Sequence, residues 1–290
     1  MNAMSREQFM GNALAVERSG EGSPTFIFVH GFACDRHDWA AQKAALSRRF
    51  SVVTLDLPGF GESEAPQSAS ASAETLARVV CEVVARHGGG QAILVGHSLG
   101  SRVILEAFRR SPGGIVGLVL VDGHIVAEDV AKAGVQAFKV QLDAMGFYNF
   151  LAASFSAMFD PDGDPHVREQ VLSRMARVKR EFAEPLLIES VQNWHAATAA
   201  QVLAGIDVPC LMLQSTEIDA SFRFKRLEAG CGTPWTDLVT RKVPQAELRI
   251  IPNAGHFVQI EAAELVNEHL LAFGSRIRGA HLPALSPRFA

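Results

Sequence analysis

Ser98 stands in the pentapeptide Gly96-His97-Ser98-Leu99-Gly100, between an apolar run at 92–95 and a helical pattern at 101–110. A serine hydroxyl attacks well only when a base takes its proton. It must also stand on a tight bend that lifts it above the sheet edge. Such a bend brings strand and helix backbones so close that the positions two before and two after tolerate almost no side chain. Gly96 and Gly100 occupy those positions. As a bare pentapeptide the pattern is weak, because glycine and serine are common; the strand before and the helix after carry the nucleophile reading.

The base and the charge-stabilising groups have candidates in matching places. Near the end of the chain a strand pattern (LRII, 248–251) runs into Pro252-Asn253-Ala254-Gly255-His256-Phe257, just before an amphipathic helix starting near Ile260. A lone loop histidine is ordinarily a surface residue, but imidazole titrates in the range a serine base needs. His256 is therefore the expected base. Near the start, the apolar strand 25–29 (TFIFV) ends in His30-Gly31-Phe32. Attack on an acyl carbon puts negative charge on the carbonyl oxygen, and each backbone N–H aimed at it is worth about 3–4 kcal/mol. The N–H of Leu99 and that of Phe32 are the expected oxyanion donors, with Gly31 letting the loop turn.

The segments HGF (30–32), DLPGFGES (56–63), GHSLG (96–100), LVLVDG (118–123) and the GHF…E run (255–261) together resemble the α/β-hydrolase fold superfamily. The resemblance covers about residues 13 to 273. It is nearer to the smaller, cap-bearing, esterase-like members than to the large lipases. It implies an α/β fold, a mostly parallel central sheet with helices on both faces, and a serine-hydrolase site. A substrate does not follow, because this superfold hosts many chemistries.

The acid that would orient His256 is open at this stage. The usual place follows the next-to-last strand, here 208–215, where the family pattern is Gly-x-x-Asp. This chain has Gln214-Ser215-Thr216-Glu217-Ile218-Asp219, without the glycine and with the spacing off. In a minority of members the acid instead ends the strand before the cap, where Asp122 lies. An aspartate there can also merely cap a loop. We favour Asp122, with Asp219 as the alternative and Glu217 third; either would hold the imidazole tautomer and stabilise the imidazolium.

The elements that must position these residues follow from the apolar patterning. Strands are expected at 13–17, 25–29, 51–56, 92–96, 116–122, 208–214 and 247–252. Helices are expected at 38–48, 73–87, 99–111 and 259–273, with several more between 127 and 205. Repeated strand-then-helix order predicts a parallel sheet. The stretch 127–204 lacks strand patterns and reads as an inserted cap, dividing the chain into a core (1–124 and 206–290) and a helical cap (125–205). Most cap aromatics at helical spacing should be cap core. Collectively they suggest an apolar pocket facing Ser98, with Phe147, Met158 and Trp194 as expected lining residues. His97 and His30 are read as structural, DLPGFGES as shaping the rim, and the tail 281–290 as peripheral.

A chain of 290 residues suits one α/β sheet with an insertion, and a net charge of −4 gives no case for nucleic acid or an anionic membrane. Cys34, Cys81, Cys210 and Cys231 are widely spaced, with no C-x-x-C and no Cys/His ligand pattern, so neither disulfides nor zinc is expected. The polar start, 1–10, has no apolar stretch of signal-peptide length, and no run of about 18 apolar residues occurs, so a cytoplasmic protein is expected. The expected function is hydrolysis of a small to medium apolar carboxylic ester through an acyl-enzyme, without cofactor or metal. The partner is a small-molecule ester, and a homodimer is allowed for. Carbon–carbon bond hydrolysis and cofactor-free oxygenation or perhydrolysis are the enzymatic alternatives. A non-catalytic ligand-binding protein is the alternative of another class.

Overall fold

The apolar runs that end in the chemical residues become the inner strands of one sheet. The computed structural model describes residues 3–66, 71–175, 177–219 and 221–281. In chain order come β1 (Ala3–Phe9), β2 (Asn12–Ser19), β3 (Thr25–Val29), a single 3-10 turn (Arg36–Trp39) leading into α1 (Ala40–Leu46), β4 (Ser51–Leu55), α2 (Ala73–His87), β5 (Ala92–His97), α3 (Leu99–Arg110) and β6 (Ile115–Val121). Five helices follow: α4 (Glu128–Met145), α5 (Phe147–Ser156), α6 (Pro165–Met175), α7 (Arg180–Asn193) and α8 (Ala196–Leu203). The chain then returns through β7 (Cys210–Gln214), β8 (Thr216–Ile218), β9 (Phe224–Arg226), α9 (Pro234–Lys242), β10 (Ala246–Ile250), α10 (Val258–Glu261) and α11 (Ala263–His281).

Eight strands form the sheet in the order β1-β2-β4-β3-β5-β6-β7-β10, and β8 pairs with β9 separately. From β4 through β10 the pairings are parallel, while β1 and β2 are antiparallel. Side chains alternate between two cores with the period of a pleated strand. Ile27, Val29, Leu94, Leu118, Leu120 and Met212 face one core, beside Val103 of α3 and Val80 of α2. Phe26, Phe28, Val95, Val119, Val121 and Leu213 face the other, beside Leu46 of α1 and Val266, Leu270 and Phe273 of α11. Burial on both faces explains why the central strands read as unbroken apolar runs.

Three features differ from the sequence reading. β1 was not expected, because it is an edge strand of polar residues whose Met4 is half exposed. The three-residue strands β8 and β9 are too short for a two-residue period to show. Helix α9 follows Thr233, whose side chain accepts from Thr236 N in a reciprocal cap, with Pro234 opening the first turn. Most of the tail expected to be peripheral lies outside the described residues, which end at His281.

Candidate active site

Ser98, Asp122, His256 and Phe32 each sit in the turn or loop beyond the carboxyl end of a parallel strand, whereas Phe147, Met158 and Trp194 lie among the helices between β6 and β7 and Asp219 follows β8. Ser98 follows β5 directly, at φ 53 and ψ −117, backbone angles that cost energy for any residue but glycine. Its N–H donates to Val121 O at 3.0 Å. A methyl group on Gly96 would lie 2.3 Å from Gly100 O, and one on Gly100 would lie 2.3 Å from Val29 O. The two glycines are thus required by backbone-to-backbone approach, which is the condition for the sharp turn.

The loop after β3 closes against this turn. Gly31 O accepts from Cys34 N at 3.4 Å, with Phe32 and Ala33 (φ 55) at the corner. A methyl group on Gly31 would lie 2.9 Å from His97 Nδ1 and 3.4 Å from Ser98 Cβ, so the Gly31 backbone touches the serine turn itself. His30 stiffens the loop, with Nδ1 2.7 Å from Gly31 O and Nε2 accepting from Leu57 N at 2.9 Å. Leu99 opens α3, where an N–H has no carbonyl of its own helix to meet.

His256 is held on every side. Its Nδ1 lies 2.7 Å from Asp122 Oδ2, and both side chains are almost wholly buried. With a carboxylate as partner, Nδ1 carries the proton and Nε2 is left as the acceptor. The His256 N–H donates to Met158 O at 2.7 Å, and its carbonyl accepts from His97 Nε2 at 2.8 Å. Burial and the nearby His256 push the His97 imidazole well below its usual range, so it stays neutral, consistent with a single N–H spent on that carbonyl. Glu261 Oε2 accepts from Gly255 N at 3.2 Å and from Asp160 N at 2.8 Å, tying the histidine loop to the segment after α5.

Asp122, at φ 44 just after β6, has its own scaffold. Oδ1 accepts from Ser215 N at 2.7 Å and from Thr216 N at 2.8 Å, and the Thr216 hydroxyl donates to Oδ2. Asp219 is engaged elsewhere: its Oδ1 accepts from Ser221 N at 2.8 Å and Arg223 N at 3.1 Å, closing the β8–β9 turn. Glu217 sits within β8, opposite Lys225. The stretch after β7, read from the sequence only for an acid, thus supplies the donors that hold an acid from β6. Its Ser215-Thr216 pair was the available clue.

A cavity of about 470 Å³ joins these groups to the helices between β6 and β7. Ser98, Leu99, Phe32, His256, Met158 and Trp194 all line it. Phe147 does not. It lies on the same stripe of α5 as Phe150, Leu151, Ser154 and Phe155, but one turn before that stripe reaches the cavity wall. There it is 2% exposed and packs edge-on against Tyr148. The sequence reading also passed over Phe224, whose ring lies 4.4 Å from that of His256 and closes the wall from β9. No periodic pattern marks a three-residue strand. The segment 56–63, expected to shape the rim, contributes no residue to the lining of this cavity; the Asp56 carboxylate accepts from Arg36 N at 2.7 Å and Glu62 N at 2.8 Å.

Among the described residues no group of three or more His, Cys, Asp or Glu could hold a metal ion, the four cysteines are free, and no helix is long and apolar enough to cross a membrane.

The chain is similar to known proteins. The "Dihydrolipoyllysine-residue acetyltransferase component of acetoin cleaving system" of Pseudomonas putida is 29% identical over 270 residues, covering 89% of this chain and 65% of that protein. The "Pimeloyl-[acyl-carrier protein] methyl ester esterase" of Methylococcus capsulatus is 39% identical over 136 residues, covering 46% of this chain and 50% of that protein. The matches therefore span between half and two thirds of these relatives' lengths. A thermophilic esterase from Thermogutta terrifontis superposes with a TM-score of 0.75 at 22% identity, over 96% of this chain and 99% of that one, a likeness of fold. The sequence profile of the alpha/beta hydrolase family matches residues 26–269, from the first parallel strand into the last helix, and the chain belongs to that family.

Proposed function

We propose that this hydrolase cleaves small to medium carboxylic esters of apolar acids by way of an acyl-enzyme on Ser98. The observation that carries the reading is the 2.7 Å contact of Asp122 with His256 Nδ1, in the wall of the cavity that Ser98 also lines. Asp122 holds the tautomer in which Nε2 is free to take a proton. Ser98 Oγ adds to the acyl carbon as its proton passes to His256 Nε2. The N–H groups of Phe32 and Leu99 meet the oxyanion. His256 then returns the proton to the alcohol oxygen as the C–O bond breaks. Water repeats the sequence on the acyl-serine and releases the acid. The walls from α5, with Phe150, Leu151 and Phe155, favour apolar acyl groups over charged ones. The name of the methyl ester esterase relative points to the same bond type.

The test is turnover of p-nitrophenyl esters of graded chain length, with covalent labelling by a fluorophosphonate. Ser98→Ala is expected to fold normally and to lose labelling and about 10⁴–10⁶ in kcat. A variant that kept more than a tenth of wild-type turnover would overturn the reading. Tight ester binding by the wild type without turnover would instead point to a binding protein.

A further inference from the structure

His124 lines the same cavity as Ser98 and His256, two residues beyond Asp122, and the mechanism above leaves it without a task. Among the described residues its ring makes no hydrogen bond, and Nδ1 is a buried polar atom lacking a partner. A polar group in an apolar wall costs free energy unless something bonds it. The ring is nonetheless held in place. Its own carbonyl accepts from Trp194 Nε1 at 2.9 Å, and Phe224 packs edge-on against it at 5.7 Å. Its centroid lies 6.1 Å from that of His256.

We propose that His124 is a specificity-determining residue that hydrogen-bonds a second oxygen on the alcohol portion of the ester, so that the preferred substrates are monoesters of glycol- or glycerol-type alcohols. The inference rests on the ester-hydrolase reading, because it takes its frame from His256 handling the leaving oxygen. Two imidazoles 6.1 Å apart, each reaching about 2.8–3.0 Å beyond its nitrogens, fit two oxygens only a few bonds apart. Burial, reinforced by His256, pushes the His124 imidazole down to about 4. At neutral pH it is uncharged, with one donor and one acceptor, which suits a hydroxyl and does not call for an anion. Trp194, stacked under the Arg102 guanidinium at 5.2 Å, keeps that wall rigid.

The experiment compares 2-hydroxyethyl butyrate with propyl butyrate, near-equal in size, by acid release, with p-nitrophenyl butyrate and fluorophosphonate labelling as the reference for Ser98. The wild type is expected to favour the hydroxyethyl ester by about tenfold or more in kcat/KM, since a site built for a hydroxyl discriminates against its absence. His124→Phe should bring the ratio near one, and His124→Asn, which keeps a donor and an acceptor, should retain most of it. A wild-type ratio near one, with normal labelling, overturns the role of His124 and leaves the hydrolase standing; it would mean that only water meets the ring. A ratio that survives in His124→Phe overturns it as well. If the Phe variant does not fold, the wild-type ratio and the Asn variant decide. Absence of labelling and of all ester turnover in the wild type overturns both readings together.

Discussion

Replacing Asp122 by asparagine tests the acid through the direction in which an amide must face. Oδ1 of Asp122 accepts two backbone N–H groups, from Ser215 at 2.7 Å and Thr216 at 2.8 Å. An amide nitrogen cannot accept, so the asparagine oxygen must take that place, and its NH₂ must point at His256 Nδ1. That nitrogen then becomes the acceptor, the ring proton moves to Nε2, and Nε2 can no longer take the serine proton. The Thr216 hydroxyl can rotate from donor to acceptor, so little packing is lost. The wrong tautomer costs about 10⁴ in kcat, or about 5.5 kcal/mol of transition-state stabilisation. The assay is kcat for p-nitrophenyl butyrate at saturation, with a thermal melt to show that the fold is kept. Asp219→Asn is the control, since its oxygen can still accept from Ser221 N and Arg223 N, and it should stay within about threefold of wild type. An Asp122→Asn enzyme with more than a hundredth of wild-type kcat, or an equally crippled Asp219→Asn enzyme, would refute the assignment.

Gly100→Ala should be strongly destabilised, by about 3 kcal/mol or more in urea unfolding, because its methyl would meet Val29 O at 2.3 Å and His30 O at 2.8 Å, both backbone atoms. Phe147→Ala should cost about 3 kcal/mol of stability and leave the acyl-chain preference of the enzyme unchanged, whereas Met158→Ala, on the cavity wall, should shift that preference towards bulkier acids. One part of the pH dependence of stability follows from His124. In the unfolded chain it takes a proton near 6.5 and in the folded one only near 4, so protonation below pH 6.5 favours unfolding. About 3 kcal/mol should be lost between pH 6.5 and 4, read by denaturant titration, and His124→Phe should remove that part of the slope.

Much of the site is legible in the chain because its parts are local. Gly96, Ser98 and Gly100 are demanded by one turn, and their spacing survives as a motif. His256 is marked by a strand before it and a helix after it. The central strands announce themselves because burial on both faces leaves few polar positions. The outlying elements do not. β1 is a polar edge strand, and β8 and β9 have three residues each. Phe147 was misplaced because helical spacing gives the stripe a residue lies on, not how far along that stripe a cavity extends.

The acid shows the division most clearly. The order of residues determined that the Gly31 loop, the Ser98 turn and the His256 loop would each follow a strand, so local sequence carried the serine, the histidine and the glycines. It also narrowed the acid to the ends of β6 and β7. Which carboxylate reaches the imidazole was decided by tertiary structure alone. Asp122 meets His256 across 134 residues, and it is fixed there by Ser215 and Thr216 from just beyond the neighbouring strand β7. Hydrogen bonds between segments so distant in sequence leave no periodic trace in it. They come into being only when the parallel pairing of β6 with β7 sets the ends of those strands side by side.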